Sequence, residues 1–469
     1  MHKNPAGIFL ILMIAATTAI DATAGEDTAA RPPAADDRGS FDWHEFVRDP
    51  EKTRQSGDST VTSYLSLLDA LEAGAYAEAE IVAKQVIDGL LRQAGDNDDA
   101  QALANLATVQ YLAANFDASV QNFQASIERV ESRRDMLSPE LVLPLRGLAA
   151  AYTAREQPVL AARTLDRALH ISNVNDGPHS PSQIPILRSL LELNVEQGDN
   201  AAALALLDRV YLIEERHYTP DAEALLPTLY FKAAVHARLG MELAERNTYR
   251  QIIDITRATR GKDDISLVEP YLSMARTFVY DLDEAVFRSL PTAPTAEWYF
   301  QQALDIAQSN PQADTSTRNR CLLSLADYYT IIGDYSRANA LYQQAWTLLS
   351  ADDDGLAQRR HDLEINQALS QRRPHEYANF KYGSDIHEAD PADLLNGYVS
   401  VTYTIDEHGE TRDIQIAEAD PRGFTPMETR VRQAVKKFVF RPRYTEGQAV
   451  PTSDQVYTHR YFYRPTDLE

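Results

Sequence analysis

The chain is expected to be mainly α: an α-solenoid of stacked helix pairs followed by a small α+β domain of ββαβ order. Three observations lead there. The stretch 319–349, NRCLLSLADYYTIIGDYSRANALYQQAWTLL, carries two helical apolar faces parted by Gly333-Asp334. Looser copies of it recur upstream every 42 residues or so. After Asn396 the apolar pattern changes from helical spacing to alternation.

Met1–Ala24 has the composition of a secretory signal: His2 and Lys3, an apolar run Ile8–Ala16, and Ala22-Thr23-Ala24 as an A-x-A cleavage pattern before Gly25. The apolar run is short for a bilayer span, which needs about 20 residues. An uncleaved anchor is the alternative reading. Cleavage puts the protein in the periplasm; retention puts it on the inner membrane, facing the periplasm. Residues 25–60 read as a disordered leader rich in Ala, Asp and Pro, ending in a short cap in which Phe41, Trp43, Phe46 and Val47 dock on the first repeat.

Residues 61–371 read as the repeats. Leu322, Leu325, Ala326 and Tyr329 fall at i, i+3, i+4 and i+7, one face of a helix. Gly333 then breaks it, because glycine turns tightly and is a poor interior helix residue. Ala338, Leu341, Tyr342 and Ala345 form the next face. The alanines let two antiparallel helices approach, and the tyrosines fill the space between them. Equivalents of Ala326 are Leu67, Ala107, Ala149, Leu191, Ala233 and Ala275; equivalents of Ala338 are Ala79, Ser119, Ala161, Ala203, Glu245 and Ala296. About seven repeats result. The spacing lengthens inside the sixth, which places an insertion at Leu282–Pro294. Leu356–Ser370 reads as one more amphipathic helix, capping the stack with its polar face.

These motifs resemble the tetratricopeptide repeat (TPR). Its L-x2-[AG]-x2-Y signature is met by Leu322, Leu325, Ala326 and Tyr329, and its second half by Gly333, Tyr335, Ala338, Tyr342 and Ala345. The usual period is about 34 residues. The longer one here implies longer helices or loops, similar to the repeats of kinesin light chains. The resemblance implies helix–turn–helix units whose inner helices line a groove for extended peptides. In this register Arg146 and Arg188 share one inner position, and Glu192 and Arg276 share another. Stacked arginines can clamp peptide carboxylates; pairing with neighbouring acids is the competing reading.

Arg372–Asp393, punctuated by Pro374, Gly383 and Pro391, reads as a linker and domain boundary. In residues 394–469, Tyr398–Ile405 alternates, Asp406-Glu407-His408-Gly409 turns, and Thr411–Ala417 alternates again. Met427, Val431, Ala434, Val435 and Phe438 mark a helix entered at Thr425-Pro426, where proline is favourable, and ended by Arg441-Pro442. Gln455–Tyr463 is the last strand. This segment resembles the C-terminal domain of TonB, the energy transducer of Gram-negative outer-membrane uptake. The pattern G-x-V-x-V-x-[FY]-x-I-D-x2-G is met by Gly397, Val399, Val401, Tyr403, Ile405, Asp406 and Gly409. The [WF]-x-F-x-P tail is met by Phe438, Phe440 and Pro442, and G-x2-V by Gly447 and Val450. The resemblance implies that a partner strand, such as a receptor's N-terminal box, adds to the last strand. That puts Val456 at the contact, with Tyr457, Tyr461 and Tyr463 alternating on one face, either toward the partner or packed on the helix. Arg430, Arg432, Lys436, Lys437, Arg441 and Arg443 form a local basic cluster.

Formal charge is -24, and the segment after Ala392 holds ten Lys/Arg and twelve Asp/Glu, so the acidity lies in the repeats. That surface opposes nucleic acid, whose phosphates require Lys and Arg. The single cysteine, Cys321, sits beside an apolar stripe and reads as a small core residue. No G-x-S-x-G, Walker, H-E-x-x-H, C-x-x-C or G-x-G-x-x-G motif occurs. His375 and His387 have no carboxylate cluster at metal spacing. The expectation is a protein without catalytic, metal or cofactor site. It is a periplasmic protein-binding scaffold whose partners are other envelope proteins, TonB-dependent outer-membrane receptors or a groove-bound peptide. It would touch the membrane only through those partners unless its N-terminus is uncleaved. The alternative is an anchored TonB-type energy transducer.

Overall fold

Small residues recur where helices must approach closely, and antiparallel helix pairs form around them. The computed structural model describes residues 42–47, 58–93, 99–218, 222–279, 295–371 and 394–468. The signal segment, most of the leader with Phe41, the insertion at Leu282–Pro294 and the 372–393 linker lie outside the described residues.

A four-residue helix, α1 (Trp43–Phe46), comes first. The repeats follow as α2 (Asp58–Glu72), α3 (Tyr76–Gln93), α4 (Asp99–Leu112), α5 (Phe116–Arg133), α6 (Val142–Ala154), α7 (Pro158–Asp176), α8 (Ile184–Glu196), α9 (Asn200–Tyr218) and α10 (Leu226–Arg238). Then come α11 (Glu242–Arg260), α12 (Val268–Val279), α13 (Ala296–Ser309), α14 (Thr315–Ile332) and α15 (Tyr335–Leu349). Even-numbered helices up to α14 are the first (A) members of the repeats. Those at α2, α4, α6, α8, α12 and α14 each pack on the B helix that follows. Every equivalent of Ala326 and of Ala338 named above is buried. The two marker positions meet directly in the second repeat, where the Ser119 hydroxyl donates to Ala107 O at 2.8 Å.

The long period has two sources. The B helices α7 and α9 run 19 residues against 13 for the A helices α6 and α8. A 3-10 turn also precedes several A helices, at Pro139–Leu141, Pro181–Gln183, Glu223–Leu225 and Ile265–Leu267. Side-chain oxygens of Ser138, Ser180 and Asp264 accept from the turn's own N–H groups and hold three of these entries.

The chain forms two compact units, Met1–Met241 and Glu242–Glu469. In the first, a core cluster runs from α2 to α8 and includes Phe123, Leu145, Leu165 and Ile171. In the second, α14 ends at Gly333 in the left-handed conformation, φ 81°. Asp334 then caps α15 by accepting from Arg337 N at 3.2 Å. Cys321 is fully buried, its thiol 3.7 Å from Ala303 O.

The cap departs from expectation. The capping helix, α16 (Asp353–Asp362), is shorter than the expected Leu356–Ser370. The final residues of that stretch instead form a strand, β1 (Gln367–Ser370). The C-terminal residues continue as β2 (Leu395–Ile405), β3 (Thr411–Asp420), α17 (Thr425–Val435), β4 (Val439–Arg441), β5 (Arg443–Thr445), β6 (Gln448–Val450) and β7 (Thr452–Tyr463). The main sheet is antiparallel in the order β3-β2-β7, with α17 against β2 and β3. The expected strand-strand-helix-strand core is present, with two additions: β1 pairs with β4, and β5 with β6. Val399, Val401, Tyr403 and Ile405 point into the core with Met427, Val431 and Val435 of α17. The helix stops at Val435, so Phe438 and Phe440 join that core from the turn and from β4 rather than from a longer helix.

Candidate functional site

Arg441 belongs to the basic cluster in sequence and leaves it in space. Its guanidinium is buried against α14, donating Nε to Asp327 Oδ1 at 2.8 Å and Nη2 to Asp327 Oδ2 at 2.6 Å. Nη1 donates to Asp362 O at 2.8 Å, satisfying a carbonyl at the end of α16. Asp327 also accepts from the Tyr342 hydroxyl at 2.8 Å. Burial alone would lower the Arg441 pKa; the Asp327 carboxylate outweighs it and the net shift is upward. Burial and then Asp327 push the Tyr342 hydroxyl well above its ordinary value.

Around this pair, Tyr444 N donates to Leu363 O at 2.7 Å and Asn366 Nδ2 to Arg441 O at 3.1 Å. The Tyr444 hydroxyl donates to Asn339 Oδ1 at 2.6 Å, and Tyr335 stacks on His408 at 4.6 Å. The carbonyls of Asp362 and Leu363 are thus taken by Arg441 and by the backbone of Tyr444, and a strand replaces the last helical turns of the cap. The sheet module is therefore fastened to the last repeat on both sides of residues 372–393.

β7 ends the main sheet. Among the described residues it pairs with β2 alone. Val456 lies on the outward face and is 63% exposed. Tyr461 and Tyr463 are buried against Phe424, and Tyr457 packs edge-on to Phe438 with centroids 5.1 Å apart. The three tyrosines pack within the module's own core. Burial, followed by the neighbouring Tyr463, Asp420 and Glu428, pushes the Tyr461 hydroxyl up to about 12.

On the A-helix face every predicted residue has an internal partner. Arg146 pairs with Glu45 at 2.8 Å and stacks over Phe46, its guanidinium carbon 5.2 Å from the ring centre. Arg188 pairs with Glu214 at 3.3 Å and stacks over Phe231 at 4.5 Å. Burial raises the Glu214 pKa, with Arg188 opposing. Glu192 pairs with Arg238. In the second unit, Arg276 lies 3.8 Å from Glu269, which Arg320 approaches to 3.0 Å. The arginines do not form an open carboxylate clamp.

The cap segment 42–47 is the element that sequence reasoning misplaced. It rests mainly on α4 and α6 of the second and third repeats, rather than on the first. Phe46 and Val47 are buried there. Gln101, which carried no recognisable motif, donates Nε2 to Phe46 O at 3.2 Å and to Asn105 Oδ1 at 2.8 Å. Asp327, also missed, was visible only as a carboxylate inside an apolar repeat face.

Among the described residues, no helix is long and apolar enough to cross a membrane. No protein-family model matches the chain, and no curated protein matches it in sequence. Solved structures do. A kinesin light chain-type protein of nearly identical TPR-like repeats from Podosopora anserina is 18% identical, over 46% of this chain and 97% of that one, with a TM-score of 0.37. The C-terminal part of a TPR repeat-containing protein from Cytophaga hutchinsonii is 12% identical, over 62% and 97%, with a TM-score of 0.41. The apo form of RapI is 11% identical, over 65% and 80%, with a TM-score of 0.42. The repeat architecture itself is read directly from the helix pairs described above.

Proposed function

We propose that this chain is a non-enzymatic adaptor of the Gram-negative envelope, exported to the periplasm, which holds one protein through its helical repeats and another through its C-terminal module. The observation that carries this reading is β7, a 12-residue strand at the end of the β3-β2-β7 order. It belongs to a segment that resembles the TonB C-terminal domain at Gly397, Val399, Val401, Tyr403, Ile405, Asp406 and Gly409. A partner strand, such as the N-terminal box of an outer-membrane receptor, adds beside β7. Main-chain pairing supplies affinity and alternate side chains supply choice. The Arg441–Asp327 fastening supports the adaptor role, because a partner held at β7 is then held to the last repeat.

The test is anisotropy of fluorescent peptides carrying receptor N-terminal boxes, titrated with the full chain and with Val456→Pro. Binding in the micromolar range is expected, at least about tenfold weaker for the variant, since proline removes a ladder donor. Exchange protection of β2 checks that the sheet survives. No binding by the unmodified chain, or equal affinity in a folded variant, sinks strand addition.

The apolar run Ile8–Ala16 favours a second reading, an anchored transducer that pulls on the receptor through the same module. Intact mass separates the two. A chain beginning at Gly25 in the soluble periplasm supports the adaptor. A chain retaining Met1 in the inner membrane supports the transducer.

A further inference from the structure

Arg146 and Arg188 occupy the same position one repeat apart, and both are held by a carboxylate and a ring. For Arg188 these come from the repeats themselves: Glu214 on α9 and Phe231 on α10. The residues one repeat earlier than Glu214 and Phe231 are Ser172 and Ser189. The repeats therefore give Arg146 neither group, and both arrive from the N-terminal segment as Glu45 and Phe46. The same segment buries Val47 in the core cluster and packs Trp43 against it. Gln101 reads its backbone at Phe46 O. Arg146 is mostly buried, and its Nε finds no acceptor among the described residues, so the site has a donor to spare.

We propose that the A-helix face of α4 and α6 is a peptide site that the chain keeps filled with its own residues 42–47. The partner it fits is a short peptide carrying an acidic residue followed directly by an aromatic and an aliphatic one. Arg146 takes the carboxylate and covers the ring, Gln101 takes the backbone carbonyl, and the apolar seam takes the aliphatic side chain. The contacts named here, a half-exposed ion pair, a 3.2 Å hydrogen bond and the burial of Phe46 and Val47, work against the entropy of ordering six residues. Such an occupant exchanges. It competes as a local ligand at an effective concentration in the millimolar range. The site is separate from β7, so its failure leaves the strand-addition reading untouched.

The test uses the full chain with Phe46→Ala and Val47→Ala, which releases the segment, and a fluorescent synthetic peptide of residues 41–49. The expected result is a Kd of about 10–100 μM for the released variant, at least about tenfold weaker binding to the unmodified chain, and loss of binding when Arg146→Ala is added. A second measurement avoids core substitutions. His44 is exposed and Cys321 is buried, so His44→Cys accepts an environment-sensitive dye at one place. The added peptide then changes that signal as it displaces the segment. Equal binding to both forms overturns the proposal. So does no binding to a released variant that keeps its helical circular dichroism, together with an unmoved dye signal.

Discussion

Asp327→Ala removes the carboxylate that holds a guanidinium 8% exposed at its side chain. In its place Arg441 keeps one carbonyl, Asp362 O, and Tyr342 keeps its contact with Thr330. Two opposite charges about 4 Å apart at an effective dielectric near 20 attract by about 4 kcal/mol. Removing one partner of a buried pair typically costs about 3–5 kcal/mol, because the other charge stays buried and uncompensated. With two compact units in the chain, a single global unfolding free energy is not the right measure. Native-state hydrogen exchange read by mass spectrometry over residues 395–463 reports the local opening instead. A loss of about 4 kcal/mol raises exchange of β2 and β7 amides by about a thousandfold, up to the ceiling set by whole-unit unfolding. Arg441→Met should cost less, since Asp327 keeps the Tyr342 hydroxyl as donor. The double variant Asp327→Leu, Arg441→Met should regain much of the loss, as apolar replacements of buried pairs often do. Protection in Asp327→Ala within tenfold of the parent would refute the claim that this pair fastens the module.

Glu245 stands buried at a position otherwise filled by alanine or serine, and burial, then Glu242, raise its pKa from 4.5 to about 7, with Arg246 opposing. Its penalty is therefore absent below about pH 4.5, grows as the pH rises to 7 and is full above that; after discounting for hydration Glu245→Gln should stabilise by about 1–2 kcal/mol at pH 8 and be neutral near pH 4.5. An equal rise in melting temperature at both pH values would contradict that assignment. Gly409 has φ 83°, and an added Cβ would fall on the Phe440 carbonyl whose residue donates its N–H to Gly409 O at 2.9 Å. Gly409→Ala should cost the module about 2–4 kcal/mol, seen as faster proteolysis within 395–463, and an unchanged cleavage rate would count against the close approach. Burial pushes the Cys321 thiol up to about 12. It should resist thiol reagents at pH 8 until denaturant is added, and immediate labelling of the native chain would show the helix pair to be open.

The repeats were legible because their signal is local. Ala107, Ala149, Ala233 and Ala326 mark places where one helix must touch the next, and that need recurs with each repeat. Val399, Val401, Tyr403 and Ile405 declared the inner face of β2 in the same way, since alternation is fixed by the pleat. The hidden features depend on residues far away in sequence. The residues 363–370, LEINQALS, continue a helical pattern, yet Arg441 and Tyr444 bond Asp362 O and Leu363 O and turn the end of that stretch into a strand. Arg441 looked like one of six exposed basic residues because nothing near it names Asp327. Glu45 and Phe46 gave no sign that they lie on α4 and α6, since a short segment's docking place is set by surfaces it does not adjoin. The arginines of the A-helix face were found by position, and only the structure supplied their partners.

The pairing of β1 with β4 also bears on the order in which the chain can be finished. A polypeptide emerges N-terminus first, so β1 and the carboxylate of Asp327 exist before their partners do. At ribosomal rates of about 5–20 residues per second, the roughly 70 residues from β1 to β4 take about 4–14 seconds to follow. During that interval residues 367–370 lack the strand they pair with, and Asp327 lacks the guanidinium it holds. A chain interrupted between residues 371 and 439 would keep that state permanently. The last helix pair is thus the end of the repeats in sequence but their latest part to mature, and damage to the final 30 residues would be felt in α14.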